Sequence, residues 1–199
     1  MNPQEIGEAY DQITHLWEDG FNTMDGIEAH EKALRFCDRK GAALDVGCGP
    51  TGRFIDLLCE EGFEPEGVDV SSQMLARAAE RHPGIEFHQQ DICAWELPKQ
   101  YSFITAWDSI WHIPLAQQAP VLRKLVEGLM PKGVLIFSFG ATEDAGEHRD
   151  SNMGPEVYYS SLGVNGFLEL LLSMDVFFRH LEYDQHPELH AYLIVQKKG

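Results

Sequence analysis

The most informative segment of the chain is Leu44-Asp45-Val46-Gly47-Cys48-Gly49-Pro50-Thr51-Gly52-Arg53-Phe54. An apolar run typical of a buried strand ends there in three spaced glycines, and a helical pattern follows. This satisfies G-x-G-x-x-G in the strand-to-helix context that the motif requires. Glycine accepts positive φ angles and lets the backbone approach a ligand with no Cβ in between. The stretch therefore predicts a ligand-binding turn at the carboxyl end of a strand.

Outward from this turn, short β-rich runs alternate with longer helical runs, which implies crossover connections and a mostly parallel sheet. The last two apolar runs are joined by a link too short for a crossover, so they must be antiparallel. We therefore expect a doubly wound α/β fold with a mostly parallel seven-stranded sheet, helices on both faces and a C-terminal antiparallel hairpin. The predicted strands are residues 42–47, 64–70, 85–91, 101–108, 133–140, 176–184 and 190–196.

The remaining segments flank this sheet. Helices are predicted over residues 3–19, 27–39 and 164–174 in addition to those between the strands. The polar residues 142–156 predict a long surface loop. A length of 199 residues favours one domain.

Charge and composition disfavour several classes of partner. With 32 acidic and 15 basic side chains, the formal net charge is -17, which would repel nucleic-acid phosphates and anionic membrane lipid. The pattern of a signal peptide and long apolar stretches are both missing, so a cytoplasmic location is expected. Four scattered cysteines predict free thiols and no metal site. His186, Glu188 and His190 are interpreted as a solvated turn.

Two carboxylates narrow the class of ligand that the turn is expected to bind. Asp69 ends the second predicted strand, where a carboxylate can accept hydrogen bonds from both hydroxyls of a ribose. Dinucleotide sites share that feature. Asp45 lies two residues before the first glycine, where it would repel a pyrophosphate and favour a ligand that carries an ammonium group.

At this point Leu44-Asp45-Val46-Gly47-Cys48-Gly49 resembles the first motif, h-D-x-G-x-G, of the class I S-adenosylmethionine-dependent methyltransferases. Residues 10–196 carry further motifs in the family's order. They are Gly67-Val68-Asp69-Val70-Ser71-Ser72-Gln73-Met74-Leu75, Gln90-Asp91-Ile92, Ala106-Trp107-Asp108-Ser109 with His112-Ile113-Pro114, and Leu129-Met130-Pro131-Lys132-Gly133-Val134. Met130 and Val134 depart from the family pattern at positions that contact no ligand in the family. The resemblance implies a small bacterial-type enzyme that methylates a small molecule.

The resemblance also implies how S-adenosylmethionine is held at its methionine end. Gly47, Cys48 and Gly49 would pass under the methionine part. Asp45 would hold its amino group, and Trp107 would offer a backbone carbonyl nearby.

At the nucleoside end, Asp69 would bind the ribose by the same resemblance. Val70 and Met74 would lie on either side of the adenine. Asp91 would accept a hydrogen bond from its amine, and the Ile92 amide would face a ring nitrogen.

The resemblance further implies a lid and an acceptor site. Tyr10 and Trp17 resemble a lid motif that folds over the cofactor, so residues 1–40 would form a helical lid on a core of residues 41–140. Residues 141–199 would supply the substrate-side loop, helix and hairpin. His112 is the candidate general base, although such a base is optional in this chemistry. The candidate substrate-pocket residues are Trp111, Tyr158 and Tyr159.

Two alternatives stay open at this stage. A nicotinamide-dependent oxidoreductase would share the glycine turn and Asp69, but it has no need of Asp45, Asp91 or the terminal hairpin. A non-catalytic S-adenosylmethionine-binding protein would use the same cofactor residues. The acceptor atom is undetermined among oxygen, nitrogen and sulfur.

Overall fold

The fold is described from a computed structural model that covers residues 1–17 and 25–199. The helices of this part of the chain are α1 (Pro3–Ile13), α2 (Ile27–Leu34), α3 (Arg53–Glu60), α4 (Ser72–Arg81), α5 (Leu115–Glu127) and α6 (Gly163–Leu172). The strands are β1 (Ala42–Val46), β2 (Glu64–Asp69), β3 (Glu86–Gln89), β4 (Tyr101–Ala106), β5 (Leu129–Gly140), β6 (Gly146–Asp150), β7 (Val157–Ser161), β8 (Val176–Glu182) and β9 (His190–Lys197).

Within the described residues, seven strands form one sheet in the order β3-β2-β1-β4-β5-β9-β8. Pairing is parallel from β3 to β5, whereas β9 is antiparallel to both β5 and β8. The predicted fold class is therefore confirmed, including the terminal hairpin. Because the chain reverses its direction of winding at β1 and β4, their carboxyl ends border a crevice of the kind that binds ligands.

Apolar side chains cover both faces of the sheet. One cluster includes Leu44, Ile104 and Leu122 and packs α5 and α6 on one face. A second cluster includes Ala33, Phe54 and Phe103 and packs α2 and α3 on the opposite face. Burial of these side chains is the main force that orders the strands, and it fixes where their carboxyl ends lie.

The prediction of a loop over residues 142–156 was wrong in part, because β6 occupies Gly146–Asp150 and pairs antiparallel with β7. The sequence Gly-Glu-His-Arg-Asp is exposed along its central residues, so it lacks the apolar alternation that marks a half-buried strand. Its partner β7 is mostly buried and carries the packing of this small sheet.

The first helix is also shorter than predicted. A capping box between Asn2 and Glu5 starts α1, with Pro3 in its first turn. The helix ends at Ile13, and a 3₁₀ turn continues over Thr14–Trp17. The Thr14 hydroxyl donates to the Tyr10 and Asp11 carbonyls and competes with the regular helical pattern. The predicted residues 18 and 19 lie outside the described part of the chain. The second helix ends at Leu34 instead of residue 39.

Among the described helices, none is both long and apolar enough to cross a bilayer.

Candidate active site

A cavity of about 520 Å³ opens at the carboxyl ends of β1, β2, β3 and β4, with α1 across its mouth. This volume lies in the usual range for small-ligand sites. Fourteen of the residues predicted from the sequence line it, namely Tyr10, Trp17, Gly47, Cys48, Gly49, Asp69, Val70, Met74, Asp91, Ile92, Trp107, Trp111, His112 and Tyr159. Asp45 and Tyr158 do not.

The glycine turn forms the floor of the cavity. Gly47, Gly49 and Gly52 have φ angles of 71°, 56° and 66°. A Cβ on Gly47 would overlap the Ser109 side chain, whereas one on Gly49 would meet no atom within 4 Å. The Gly47 amide donates to the Val68 carbonyl at 2.7 Å, which ties the turn to β2. The turn can therefore present its backbone to a ligand at close range.

Asp69 stands at the end of β2 with both carboxylate oxygens oriented by backbone amides. Oδ2 accepts from the Gly49 amide at 3.0 Å, and Oδ1 accepts from the Ser71 amide at 2.9 Å. Burial raises the pKa of Asp69 above its usual value, and these bonds oppose that shift. With backbone donors at Gly49, Ser71 and Val70, the carboxylate still has the capacity to accept from a hydroxyl of the ligand.

Asp91 and three apolar side chains complete that end of the cavity. Asp91 follows β3, and its Oδ1 accepts from the Cys93 amide at 2.8 Å. Val70, Met74 and Ile92 supply apolar walls. An aromatic heterocycle with an exocyclic amine would fit between these walls and Asp91.

Asp45 lies behind the glycine turn at the end of β1 and is only 2 % exposed. Among the described residues its Oδ2 has no hydrogen-bond partner. Burial raises its pKa to about 7, although Arg53 opposes the shift. A buried carboxylate oxygen left unsatisfied in this way is a site that a cationic ligand group or a bridging water would stabilise.

His112 lies in the 3₁₀ turn Ile110–His112 after β4 and is held by three hydrogen bonds. Nδ1 is 2.9 Å from the Tyr158 carbonyl, which can only accept, so Nδ1 carries the proton. Nε2 therefore accepts, from the Tyr10 hydroxyl at 2.8 Å and the Trp111 indole at 2.9 Å. Burial lowers the pKa of His112 to about 4, so the ring is neutral at pH 7.

One carboxylate of α1 attaches this helix to the start of α4. Asp11 Oδ1 accepts from the Ser71 hydroxyl and from the Gln73 amide at 3.0 Å, both at the start of α4. The positive end of the α4 dipole adds to this attraction. Tyr10 and Trp17, with ring centroids 5.8 Å apart, are thereby held at the cavity.

Of the three predicted substrate residues, two line the cavity and one does not. The rings of Trp111 and Tyr159 line the cavity with centroids 6.4 Å apart. Tyr158 points away, since β7 alternates its side chains between two faces. Its hydroxyl donates to Glu147 at 2.7 Å and accepts from the Leu115 amide at 3.1 Å. Tyr158 reaches the site through its carbonyl, which fixes the His112 tautomer.

Sequence reasoning missed several lining residues, notably Arg53, Asp108, Met153 and Glu188. Asp108 follows β4 directly, and the argument that selected Asp69 at the end of β2 could have found it. Its φ of 52° is unusual for a side chain with a Cβ. Met153 and Glu188 come from distant loops that carry no local signal.

The interpretation of residues 186–190 as a solvated turn was wrong for His190, which is 5 % exposed. Its Nδ1 lies 2.5 Å from Asp184 and its Nε2 lies 3.1 Å from Asp108. The link between β8 and β9 folds back against the site, so β9 begins with this side chain buried. Local sequence could not reveal the buried partners because Asp108 is 82 positions away.

Comparison with known proteins places the chain in a family. The model of a methyltransferase domain matches residues 43–133. A trans-aconitate 2-methyltransferase of Paracidovorax citrulli is 30% identical over 193 residues, which cover 84% of this chain and 71% of that protein. A dTDP-3-amino-3,6-dideoxy-alpha-D-glucopyranose N,N-dimethyltransferase of Streptomyces fradiae is 29% identical over 136 residues, covering 66% of this chain and 52% of that one.

Among solved structures, an S-adenosylmethionine dependent methyltransferase of Mesorhizobium loti has a TM-score of 0.70 at 18% identity, covering 86% of this chain and 97% of that one. The first curated relatives are longer proteins, and the matched region spans about half the length of each. The cavity at the carboxyl ends of the strands, the matching domain model and the extended similarity agree, and the chain belongs to the S-adenosylmethionine-dependent methyltransferase family.

Proposed function

We propose that this protein transfers a methyl group from S-adenosylmethionine to a small-molecule acceptor. The observation that carries the proposal is the convergence of the glycine turn, Asp69, Asp91 and the aromatic wall on one cavity. Family membership and the names of the relatives support the reaction. Those names include an amino sugar and trans-aconitate, so they leave the acceptor open.

The residues present fit the cofactor. The turn can approach a methionine backbone, and the unsatisfied Asp45 Oδ2 suits a nearby ammonium group, directly or through water. Asp69 suits a ribose diol, and Asp91 with Val70, Met74 and Ile92 suits an adenine. Arg53, at the start of α3, adds a cation for a carboxylate. A dinucleotide fits less well, because its pyrophosphate would lie beside Asp45 and Asp69.

The chain's own contribution to the reaction is mainly positioning. When bound, S-adenosylmethionine supplies a methyl group on a sulfonium, whose leaving thioether is neutral. Tyr10 and Trp17 cover the cavity and exclude water, while Trp111 and Tyr159 orient the acceptor. Such positioning can supply much of the rate enhancement in a displacement of this kind. His112, neutral at pH 7, is the proposed proton acceptor where the acceptor must lose a proton.

The acidic surface supports a small molecule over nucleic acid as the substrate. The net charge of -17 opposes any polyanion, and among the described residues that line the cavity Arg53 is the one lysine or arginine.

The first test is calorimetric titration with S-adenosylhomocysteine, with NADH as the control ligand. We expect micromolar binding of the first and none of the second. Asp69→Asn should weaken the binding of S-adenosylhomocysteine by about 1.5–3 kcal/mol, because it removes the charged acceptor for the ribose hydroxyls. Asp144→Asn, an exposed charge outside the cavity, is the matched control. Binding of NADH alone would reject the proposal.

Binding must be followed by turnover. Incubation of the protein with methyl-labelled S-adenosylmethionine and a panel of small amines, carboxylates, phenols and thiols should yield one labelled product class. Tight binding of S-adenosylhomocysteine with no transfer to any panel member would favour the non-catalytic reading.

A further inference from the structure

The acceptor end of the cavity contains a carboxylate that the cofactor residues do not use. Asp108 follows β4, lines the cavity and has a side chain that is 32 % exposed. Its amide donates to the Ser138 hydroxyl at 2.7 Å, and its Oδ1 accepts from the same hydroxyl at 3.1 Å. These two bonds stabilise the left-handed backbone at this residue and fix the direction of the carboxylate.

His190 supports Asp108 from behind. The imidazole bridges Asp184 at Nδ1 and Asp108 Oδ1 at Nε2, and two carboxylate acceptors favour the doubly protonated, positively charged ring. Burial opposes that charge, but the hydrogen bonds to Asp108 and Asp184 outweigh it and raise the pKa of His190. The rings of Trp107 and Trp111 pack on His190 at 5.4 and 5.6 Å between centroids.

The two oxygens of Asp108 are therefore not equivalent. Oδ1 accepts hydrogen bonds from Ser138 and His190, whereas Oδ2 forms an ion pair with Arg53, whose Nη2 is 3.9 Å away and thus beyond hydrogen-bonding distance. Oδ2 can therefore still accept a hydrogen bond from a ligand that occupies the cavity.

The surroundings favour a cation at this point. Trp111 and Tyr159 present aromatic rings on the same wall, and aromatic faces attract ammonium groups. Among the described lining residues, Asp69, Asp91, Asp108 and Glu188 are acidic, against the one guanidinium of Arg53. An anionic acceptor would meet repulsion from Asp108 and Glu188, which the single guanidinium of Arg53, itself paired with Asp108, would offset only in part.

We propose that Asp108 recognises the nitrogen of the methyl acceptor and that the acceptor is a small amine. This inference rests on the proposed methyl transfer and names the substrate class of the same cavity.

The chemistry of transfer fits this assignment. The acceptor reacts as the neutral amine, so its ammonium form first loses one proton to the solvent. The nitrogen lone pair forms the new bond to the methyl carbon, and the carbon–sulfur bond breaks with its electron pair remaining on sulfur. One positive charge thus passes to the nitrogen of the methylated product. A fixed carboxylate beside that nitrogen stabilises the developing charge, which is a use that a carboxylate or thiolate acceptor would not have.

The test compares Asp108→Asn with the parent protein and with Asp144→Asn as the matched control. Asparagine keeps the shape of the side chain and tolerates a positive φ angle, so the fold should be retained, and a thermal melt checks this. Calorimetry first measures the affinity of each protein for S-adenosylhomocysteine. The loaded proteins are then titrated with benzylamine, phenethylamine and ethanolamine, each beside the alcohol or carboxylate of matched size.

We expect the loaded parent to prefer amines over their matched partners, and Asp108→Asn to lose about tenfold or more of that affinity. Affinity for S-adenosylhomocysteine should be unchanged in the variant. No amine preference across the parent's panel, or an equal preference in Asp108→Asn, would overturn the inference. Weaker binding of S-adenosylhomocysteine by Asp108→Asn would also overturn it, by assigning Asp108 to the cofactor's own ammonium. Failure of the parent to bind S-adenosylhomocysteine at all would instead reject the proposed function.

Discussion

At the scale of single residues, His112 shows how a surrounding network sets the chemistry of a side chain. Its Nδ1 proton is committed to the Tyr158 carbonyl, and its Nε2 accepts from Tyr10 and Trp111. Before His112 can act as a base, its Nε2 must release Tyr10 or Trp111 and take the proton of the substrate that is to be methylated. Its pKa of about 4 also makes it a weak base.

These contacts predict an unusual pH dependence if His112 takes part in transfer. Its basic form is already complete above pH 5, so kcat should rise through about pH 4 and show no His112 step between pH 5.5 and 8. The measurement is kcat against pH with an acceptor that does not titrate in this range. His112→Gln should lower kcat across the plateau, with His186→Gln as the exposed control. An inflection near pH 6.5 that survives in His112→Gln would assign proton transfer to another group.

Individual site residues were predictable where a strand end selects them. Asp69 and Asp91 could be found because parallel strands place their carboxyl ends at one edge of the sheet. Tyr158 could not be separated from Tyr159 by type, because only the register of β7 decides which of the two side chains faces the cavity. His190 required the fold of the link before β9, which local pattern does not determine.

At the scale of elements, α1 is attached to the core through the first turn of α4. Asp11→Ala removes the acceptor for the Ser71 hydroxyl and the Gln73 amide, which should cost about 1–3 kcal/mol of local stability. Hydrogen exchange of the α1 amides in the ligand-free protein should accelerate accordingly, and S-adenosylhomocysteine should bind less tightly because the closed lid is less populated.

Glu8→Ala on the same helix provides the comparison for this prediction. Its side chain is exposed and accepts only from Gln4 within the described residues, so neither exchange nor affinity should change appreciably. Equal exchange rates in the two variants would show that Asp11 does not hold the lid.

Elements were predictable where strand-like runs alternate with helical patterns along the chain. The sequence located each strand of the main sheet to within a few residues, including the polar β3, except that β5 begins earlier than expected. The central residues of β6 are exposed, and its pairing with β7 is a tertiary effect. The end of α1 is likewise set by side-chain hydrogen bonds that hydrophobic periodicity cannot detect.

At the scale of the whole molecule, buried neutral histidines connect stability to pH. His30 is fully buried between α2 and β4, with Nδ1 2.7 Å from the Gly26 carbonyl and Nε2 2.7 Å from the Thr105 hydroxyl. Burial lowers its pKa to about 3, below the value near 6.5 in the unfolded chain. The stabilisation is therefore complete above pH 6.5 and is lost as the pH falls toward 3.

We expect His30 to remove about 2–3 kcal/mol of the free energy of unfolding between pH 6.5 and 4.5. Asp45, with its pKa raised to about 7, acts in the opposite direction, and His112 acts in the same direction as His30. The difference in the free energy of unfolding between the parent and His30→Gln therefore isolates the contribution of His30. Denaturant unfolding at several pH values should show that difference shrinking with acidity. A constant difference would mean that His30 is not protonated on unfolding.

Cys48 in the glycine turn is a nucleophilic residue close to the proposed position of the methyl donor. Cys48 lines the cavity in which an alkylating sulfonium is proposed to bind. Burial, with Asp69 and Asp45 nearby, raises the pKa of Cys48 well above its usual value, so the sulfur stays protonated. Because the thiolate is the nucleophile, this sulfur is a poor competitor for the methyl group. Burial of Cys48 thus protects its thiol from methylation by the protein's own cofactor.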